Sequence, residues 1–220
     1  MGGALVLGRG GIGSAFAQAL SARGAVMVLS RENGLDWEQP SRAEACLSQA
    51  AAAGPYDLIV DATGVLVWQG HKPEKKLAGI EAEAMAAQFA INAIGPALIF
   101  KHYEALLPET GRSVIATLSA RVGSIGDNQL GGWISYRAAK AALNQIVRTA
   151  SVEMTRRRPE AVVAALHPGT VATGLSAPFA GRRDVFTPEQ SATKLLDVID
   201  RLQPANSGGF FAYDGSQIPW

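Results

Sequence analysis

The chain is poor in the residues that tie a protein to several common classes. It holds one cysteine, Cys46, which excludes an internal disulfide and most cysteine-built metal sites and suits a reducing compartment. Its three histidines, His71, His102 and His167, are scattered, and no His/Asp/Glu cluster has metal-ligand spacing, so no metal is expected. His167 precedes Pro168 and reads as a structural residue at a strand end. Charged residues make up only 18% and sum to a formal +1, so no nucleic-acid footprint is expected. The one basic run, Arg156-Arg157-Arg158, reads as cations in a last helical turn facing the macrodipole. No run approaches the roughly 18 apolar residues of a membrane span. The opening run Ala4–Leu7 is short and lacks a charged flank and a cleavage site, so it is not read as a signal peptide. A cytoplasmic globular protein is expected, with no membrane or nucleic-acid partner.

What is present is a core: 48% of the 220 residues are hydrophobic, enough for one domain over 1–220. Continuous apolar runs at Ala4–Leu7, Ala25–Leu29, Asp57–Ala62, Ser113–Leu118, Ala161–Leu166 and Gly209–Ala212 read as strands covered on both faces. Between them lie helix-like segments Gly13–Arg23, Ser41–Ala53, Glu81–Leu107, Trp133–Arg158 and Pro188–Leu202. The alternation implies an α/β fold, a Rossmann-type doubly wound parallel sheet with helices on both faces. Thr187-Pro188-Glu189-Gln190 is a helix start: an N-cap, a first-turn proline and a Gln three residues on. Too few residues follow the second strand for a full crossover helix before Asp36-Trp37, so that crossover is shortened and any strand near 34–37 is rudimentary.

The first strand runs straight into 7-LGRGGIGSAF-16, which then opens a helix. Bare backbone at Gly8, Gly10, Gly11 and Gly13, with Arg9 and Ile12 between, lets a pyrophosphate approach the N–H donors of a helix N-terminus. A dinucleotide is the expected ligand. At the tip of the second strand stand Ser30 and Arg31 rather than the carboxylate that reads a ribose 2′-OH. Arg9 and Arg31 converging there would bind a 2′-phosphate by charge-assisted hydrogen bonds, which favours NADP(H) over NAD(H), although Glu32 is an available hydroxyl acceptor. Further on, Tyr136 and Lys140 lie four apart in a helix and so share a face. A cation one turn away favours phenolate, and the pair can pass a proton to or from a carbonyl oxygen.

Taken together, the glycine loop Gly8–Gly13, 61-DATG-64, Asn92 in 91-INAIG-95, Tyr136 with Lys140, and 168-PGTVAT-173 resemble the short-chain dehydrogenase/reductase family over essentially the whole length. The stretches 123–144 and 209–220 look most like its C-factor and sniffer-like carbonyl reductase branch. The resemblance implies Tyr136 as general acid/base and Lys140 as the residue that binds the nicotinamide ribose and depresses the tyrosine pKa. It implies Asn92 as the holder of a relay water. Ala62, Thr63 and Gly64 would line the adenosine side, and Asp36 and Trp37 would flank the adenine. Pro168, Gly169, Val171 and Thr173 would hold the carboxamide end, and about 174–187 would form a substrate lid. A small carbonyl or alcohol is the implied substrate, and a homodimer or homotetramer packed through the long helices the implied assembly.

Three departures qualify the resemblance. The glycine loop is one residue short of the family's G-x-x-x-G-x-G and reads equally well as G-x-G-x-x-G, so its phosphate contacts are expected to be shifted. Asp61 replaces an asparagine and must find donors. The substrate-orienting serine, counted back from Gly123, falls on Ala120; Ser119 is one residue early, on the opposite face of a regular strand, and Ser124 is a second candidate. Rival readings are a nucleotide-binding signalling or sensing protein with little turnover, and a reductase of imine or pterin-like substrates.

Overall fold

The computed structural model describes residues 2–174 and 185–220. Six strands form one parallel sheet: β1 (Gly3–Leu7), β2 (Val26–Leu29), β3 (Tyr56–Asp61), β4 (Ser113–Leu118), β5 (Ala161–His167) and β6 (Gly209–Ala212). Their spatial order is β2-β1-β3-β4-β5-β6. The inner strands are buried on both faces because helices cover both, while the edge strand β2 is only partly buried. Alternate residues such as Val6, Val60 and Ala116 meet α1 (Gly11–Ser21) and α7 (Pro188–Arg201). Leu5, Ile59 and Ile115 instead meet α2 (Pro40–Ala53) and α6 (Ile134–Arg157). The chain winds outward from β1 to β2, then crosses back to β3. The connections therefore diverge between β1 and β3, and a crevice opens beyond their carboxyl ends.

The connection after β2 is short, as expected. It holds one tight turn, Arg31–Asn33, bracketed by Ser30 and Asn33: Ser30 N–H donates to Asn33 Oδ1 (2.6 Å) and Asn33 Nδ2 donates to the Val28 carbonyl (2.8 Å). No strand forms at 34–37, where Leu35 and Trp37 turn into the core instead. The predicted start of α7 is realised, with Thr187 and Gln190 capping each other's backbone N–H.

One expected helix is interrupted. Glu81–Leu107 resolves into α3 (Ala82–Phe89), a wide π-turn at Ala90–Ile94, α4 (Gly95–Lys101) and the single turn α5 (Tyr103–Leu106). Pro96 has no N–H to give the carbonyl of Asn92, so the regular ladder must break there. The stretch Ala82–Lys101 is long and apolar enough to cross a membrane, with mean hydropathy 1.3, yet it lies against α6 and buries Gln88 and Asn92.

Candidate active site

A cleft of about 490 Å³ occupies the crevice, and every glycine of the loop after β1 lines it. The glycines are bare for different reasons. Gly8 sits at φ +98°, where a Cβ would also meet the Ala62 carbonyl. A Cβ on Gly13 would lie 2.2 Å from the Gly8 carbonyl oxygen, so α1 packs on its own loop only because that position is glycine. Gly10 has neither reason: its φ is −71° and a Cβ there would meet nothing within 4 Å. A glycine that neither the backbone nor the packing requires, on the open wall of the cleft, fits a ligand that must touch the main chain. Tight turn, close approach and helix packing fall in the order G-x-G-x-x-G, which is how the shorter loop works.

The far end of the cleft is lined by Ser30, Arg31, Glu32, Asp36 and Trp37. Arg9 is not free to converge with Arg31, as its guanidinium is paired with the Glu32 carboxylate, both largely exposed. The Arg31 side chain makes no hydrogen bond or ion pair among the described residues, its carbonyl accepting from Gly34 N–H. Trp37 is a core residue, 6% exposed, with its indole against Gly95, where a Cβ would lie 2.4 Å from the ring. Only its edge reaches the cleft. The Asp36 carboxylate is held within its own loop by Glu38 N–H and Gln39 Nε2. Ala62, Thr63 and Gly64 line the opposite wall.

At the inner end, Tyr136 and Lys140 project from one face of α6, with the Nζ 6.0 Å from the phenol ring centroid. Both are buried. Burial pushes Lys140 down to about 8, and its Nζ donates to the Leu118 carbonyl (2.8 Å). Burial pushes the Tyr136 phenol upward, so the expected depression by Lys140 is not what this site shows. Desolvation holds Tyr136 as a neutral acid. Ser119 faces the same cluster. It follows Ile115 and Thr117 in the alternation of β4, lies just beyond the strand, is 3% exposed, and donates from Oγ to Asn144 Oδ1 (2.6 Å) one turn beyond Lys140. β4 and β5 pair without a register shift as far as Leu118, and the turn Arg121–Gly123 lies between Ser119 and the glycine from which the serine is counted. Ser124 is elsewhere: its Oγ donates to the Pro219 carbonyl (2.5 Å).

Asn92 is fully buried in the π-turn. Its amide donates to the Val65 carbonyl (2.9 Å) and Gln88 Oε1 (2.7 Å) and accepts from Val65 N–H (3.1 Å). The donors that Asp61 required are Thr63, through N–H and hydroxyl, and Thr117 (2.6 Å).

The family described as enoyl-(acyl carrier protein) reductase matches residues 34–218. The chain belongs to the short-chain dehydrogenase/reductase family. It is 36% identical to the C-signal of Myxococcus xanthus over 173 residues, 76% of this chain and 94% of the relative. It is 33% identical to the 1-hydroxy-2-glutathionyl-2-methyl-3-butene dehydrogenase of Rhodococcus sp. strain AD45 over 190 residues, 86% and 80% of the two chains. Among solved structures, the carbonyl reductase Sniffer of D. melanogaster shares the fold over the whole of both chains, with a TM-score of 0.84 at 19% identity. An NADPH-bound carbonyl reductase from chicken fatty liver does so over 99% and 98%, with 0.81 at 22%. The short-chain reductase fold expected from the sequence is thus the fold observed.

In this oxidoreductase a second cavity, about 370 Å³, adjoins the first. Ile12, Ser119, Tyr136, Pro168 and Thr173 line both. Gly169 and Val171 line the second cavity and not the nucleotide cleft. Its apolar wall includes Leu66, Val122, Leu130 and Trp133. His167 borders it too; burial pushes this imidazole down to about 4, so it is neutral. Of the expected lid, 175–184 lies outside the described residues. Sequence reasoning missed Glu74, whose carboxylate accepts the N–H (3.2 Å) and the hydroxyl of Ser135 beside Tyr136. It braces an entry to α6 in which Gly131, Gly132 and Trp133 all have positive φ. No local signal marks a brace 61 residues away. Asn144 was legible in principle, since it stands one further turn along the Tyr136–Lys140 face.

Proposed function

We propose that the protein is an NADP(H)-dependent oxidoreductase that interconverts a small carbonyl and its alcohol, with Tyr136 as the proton donor. The observation that carries this reading is that Tyr136 and Ser119 line both cavities, at the boundary where a nicotinamide in one would meet a substrate in the other. The bound cofactor would supply the hydride. Gly10 and the N-terminus of α1 would receive its pyrophosphate, and Lys140 its nicotinamide ribose. Arg31, joined by Arg9 once it leaves Glu32, would receive a 2′-phosphate. Glu32 would serve instead as the hydroxyl acceptor in an NAD(H) enzyme, and its pair with Arg9 must open before Arg9 can meet a phosphate.

The residues then divide the proton work. Tyr136, kept neutral by burial, gives its proton to the substrate oxygen as that oxygen gains negative charge. Ser119 turns its hydroxyl from Asn144 to the same oxygen and fixes its position. Lys140 supports the developing phenolate. The Asn92 side-chain amide is already taken by Val65 and Gln88, so its main-chain carbonyl, which loses its i+4 donor at Pro96, is the group for a relay water. A neutral phenol at rest favours carbonyl reduction. The second cavity, with Leu66, Val122, Leu130 and Trp133 beside Arg121, Arg137 and Asp127, suits a substrate with a hydrocarbon or aromatic body that also carries polar groups. The exposed side chains of Ile94 and Val152 mark the outer face through which the long helices would pack in a dimer.

The deciding experiment is NADPH oxidation against a panel of carbonyl compounds with wild type and Tyr136→Phe. The variant should bind NADPH normally and lose about 10²–10⁴-fold in turnover. The C-signal relative favours a second reading, a nucleotide-binding signalling protein. NADPH binding without oxidation, together with a cellular effect that survives Tyr136→Phe, would establish that reading and end the first.

A further inference from the structure

Asp61 is a carboxylate at the centre of the molecule for which the mechanism above has no use. It ends β3, is 1% exposed, and faces Thr117 directly across the β3–β4 pair. Its Oδ1 accepts the Thr63 N–H (3.0 Å) and the Thr63 hydroxyl, and its Oδ2 accepts the Thr117 hydroxyl (2.6 Å). The Trp37 indole N–H donates to Thr63 Oγ1 (3.0 Å), which leaves the Thr63 proton to point at Asp61. Three donors converge on the group, an arrangement that favours the anion against the upward push of burial.

Lys140 stands just beyond. Its Nζ is bonded to the carbonyl of Leu118, the residue after Thr117, and a Cβ on Gly64 would lie 3.6 Å from it. The groups facing it are few. α6 offers the Tyr136 phenol, the end of β4 offers Thr117, the Leu118 carbonyl and Ser119, and the π-turn offers the neutral Asn92 amide. The segment after β3 offers Asp61. Among the described residues Asp61 is the one charged group that acts on Lys140.

We propose that Asp61 is a positioning residue, the buried counter-ion that keeps the Lys140 ammonium charged at neutral pH. This rests on the role given to Lys140 above. The cation and anion share the ends of β3 and β4: Asp61 lies opposite Thr117, and Lys140 bonds the carbonyl of the next residue, Leu118. Burial drives Lys140 toward its neutral form, and the Asp61 charge opposes it. The same cation, with the Thr63 and Thr117 hydrogen bonds, opposes the upward push that burial gives Asp61. Each charge is stabilised by the other, and removal of one exposes its partner to the full cost of desolvation.

The test reads Lys140 directly, in the absence of cofactor and substrate. Protein carrying ¹³C at lysine Cε is titrated by NMR, with Lys140→Met to identify the signal. Wild type should titrate near 8, and Asp61→Asn should lower the midpoint by about one pH unit or more. The basic limb of the pH–rate profile should move down with it. An unchanged midpoint in folded Asp61→Asn overturns the proposal, even if the rate falls. Should that variant not fold, ¹³C-carboxyl spectra of wild type decide: a buried aspartate ionised at neutral pH supports the proposal, and a protonated one overturns it. Because the midpoint needs no turnover, it stands apart from any failure of Tyr136→Phe to abolish activity.

Discussion

Gly10→Ala and Gly13→Ala, three residues apart in one loop, should have opposite phenotypes. At Gly13 the new methyl would lie 2.2 Å from the Gly8 carbonyl oxygen and 2.9 Å from its carbon, both backbone atoms that can yield only if the loop moves. Overpacking of this kind costs about 1–3 kcal/mol or more, and at about 2–4 °C per kcal/mol for a chain of this size the melting temperature should drop by several degrees. At Gly10 the methyl would project into open space from a backbone that alanine adopts freely. Loss of unfolded-state freedom, worth about 0.4–1 kcal/mol, should then be offset by alanine's poorer fit at the N-cap of α1, so melting should change little. The same methyl stands where a pyrophosphate would meet the N–H groups of α1. Weakening one charge-assisted hydrogen bond there costs about 1.5–3 kcal/mol, or about tenfold to a hundredfold in NADPH affinity. Melting without cofactor and a fluorescence titration with NADPH measure the two quantities separately. If Gly10→Ala binds NADPH like wild type, its bareness has no ligand behind it and the cradle reading is wrong.

The two serines should separate in the same manner. Each loses a buried hydrogen bond, Ser119→Ala to Asn144 and Ser124→Ala to Pro219, and each should cost about 1–2 kcal/mol of stability, but only Ser119→Ala should lower kcat. Arg31→Ala should weaken NADPH at least about tenfold more than NADH, whereas Glu32→Gln should strengthen NADPH by freeing Arg9; equal losses for both cofactors with Arg31→Ala would refute the 2′-phosphate assignment. Lys140 is charged below about 8 and neutral above it. The reductive rate should therefore fall as pH rises through that value, and a profile flat to pH 9.5 (roughly the point at which a lysine at 8 is fully neutral) would mean that the charge is not needed.

The strands were legible because a parallel strand buried on both faces must be continuously apolar, as at Val162–Leu166. The start of α7 was legible because capping is local. The break in Glu81–Leu107 carried its signal in Pro96, but the partner that makes the π-turn worthwhile, Val65, lies 27 residues from Asn92. Ser119 was legible from the alternation of its own strand, Ile115, Thr117, Ser119, and was obscured by counting from a glycine beyond a turn. The Arg9–Glu32 pair was not legible, since it forms only where two loops from different strands meet across the cleft.

The bracket of Ser30 and Asn33 separates two evolutionary pressures. Because these residues hold the turn from beneath, Arg31 and Glu32 ride on it as exposed passengers, attached to neither the sheet nor the core. Substitution there alters the electrostatic welcome offered to a nucleotide while the scaffold stays as it was. Cofactor preference in this lineage is thus free to drift quickly, and exchanging those two side chains is the short path by which a relative, or an engineer, would convert one nucleotide habit into the other.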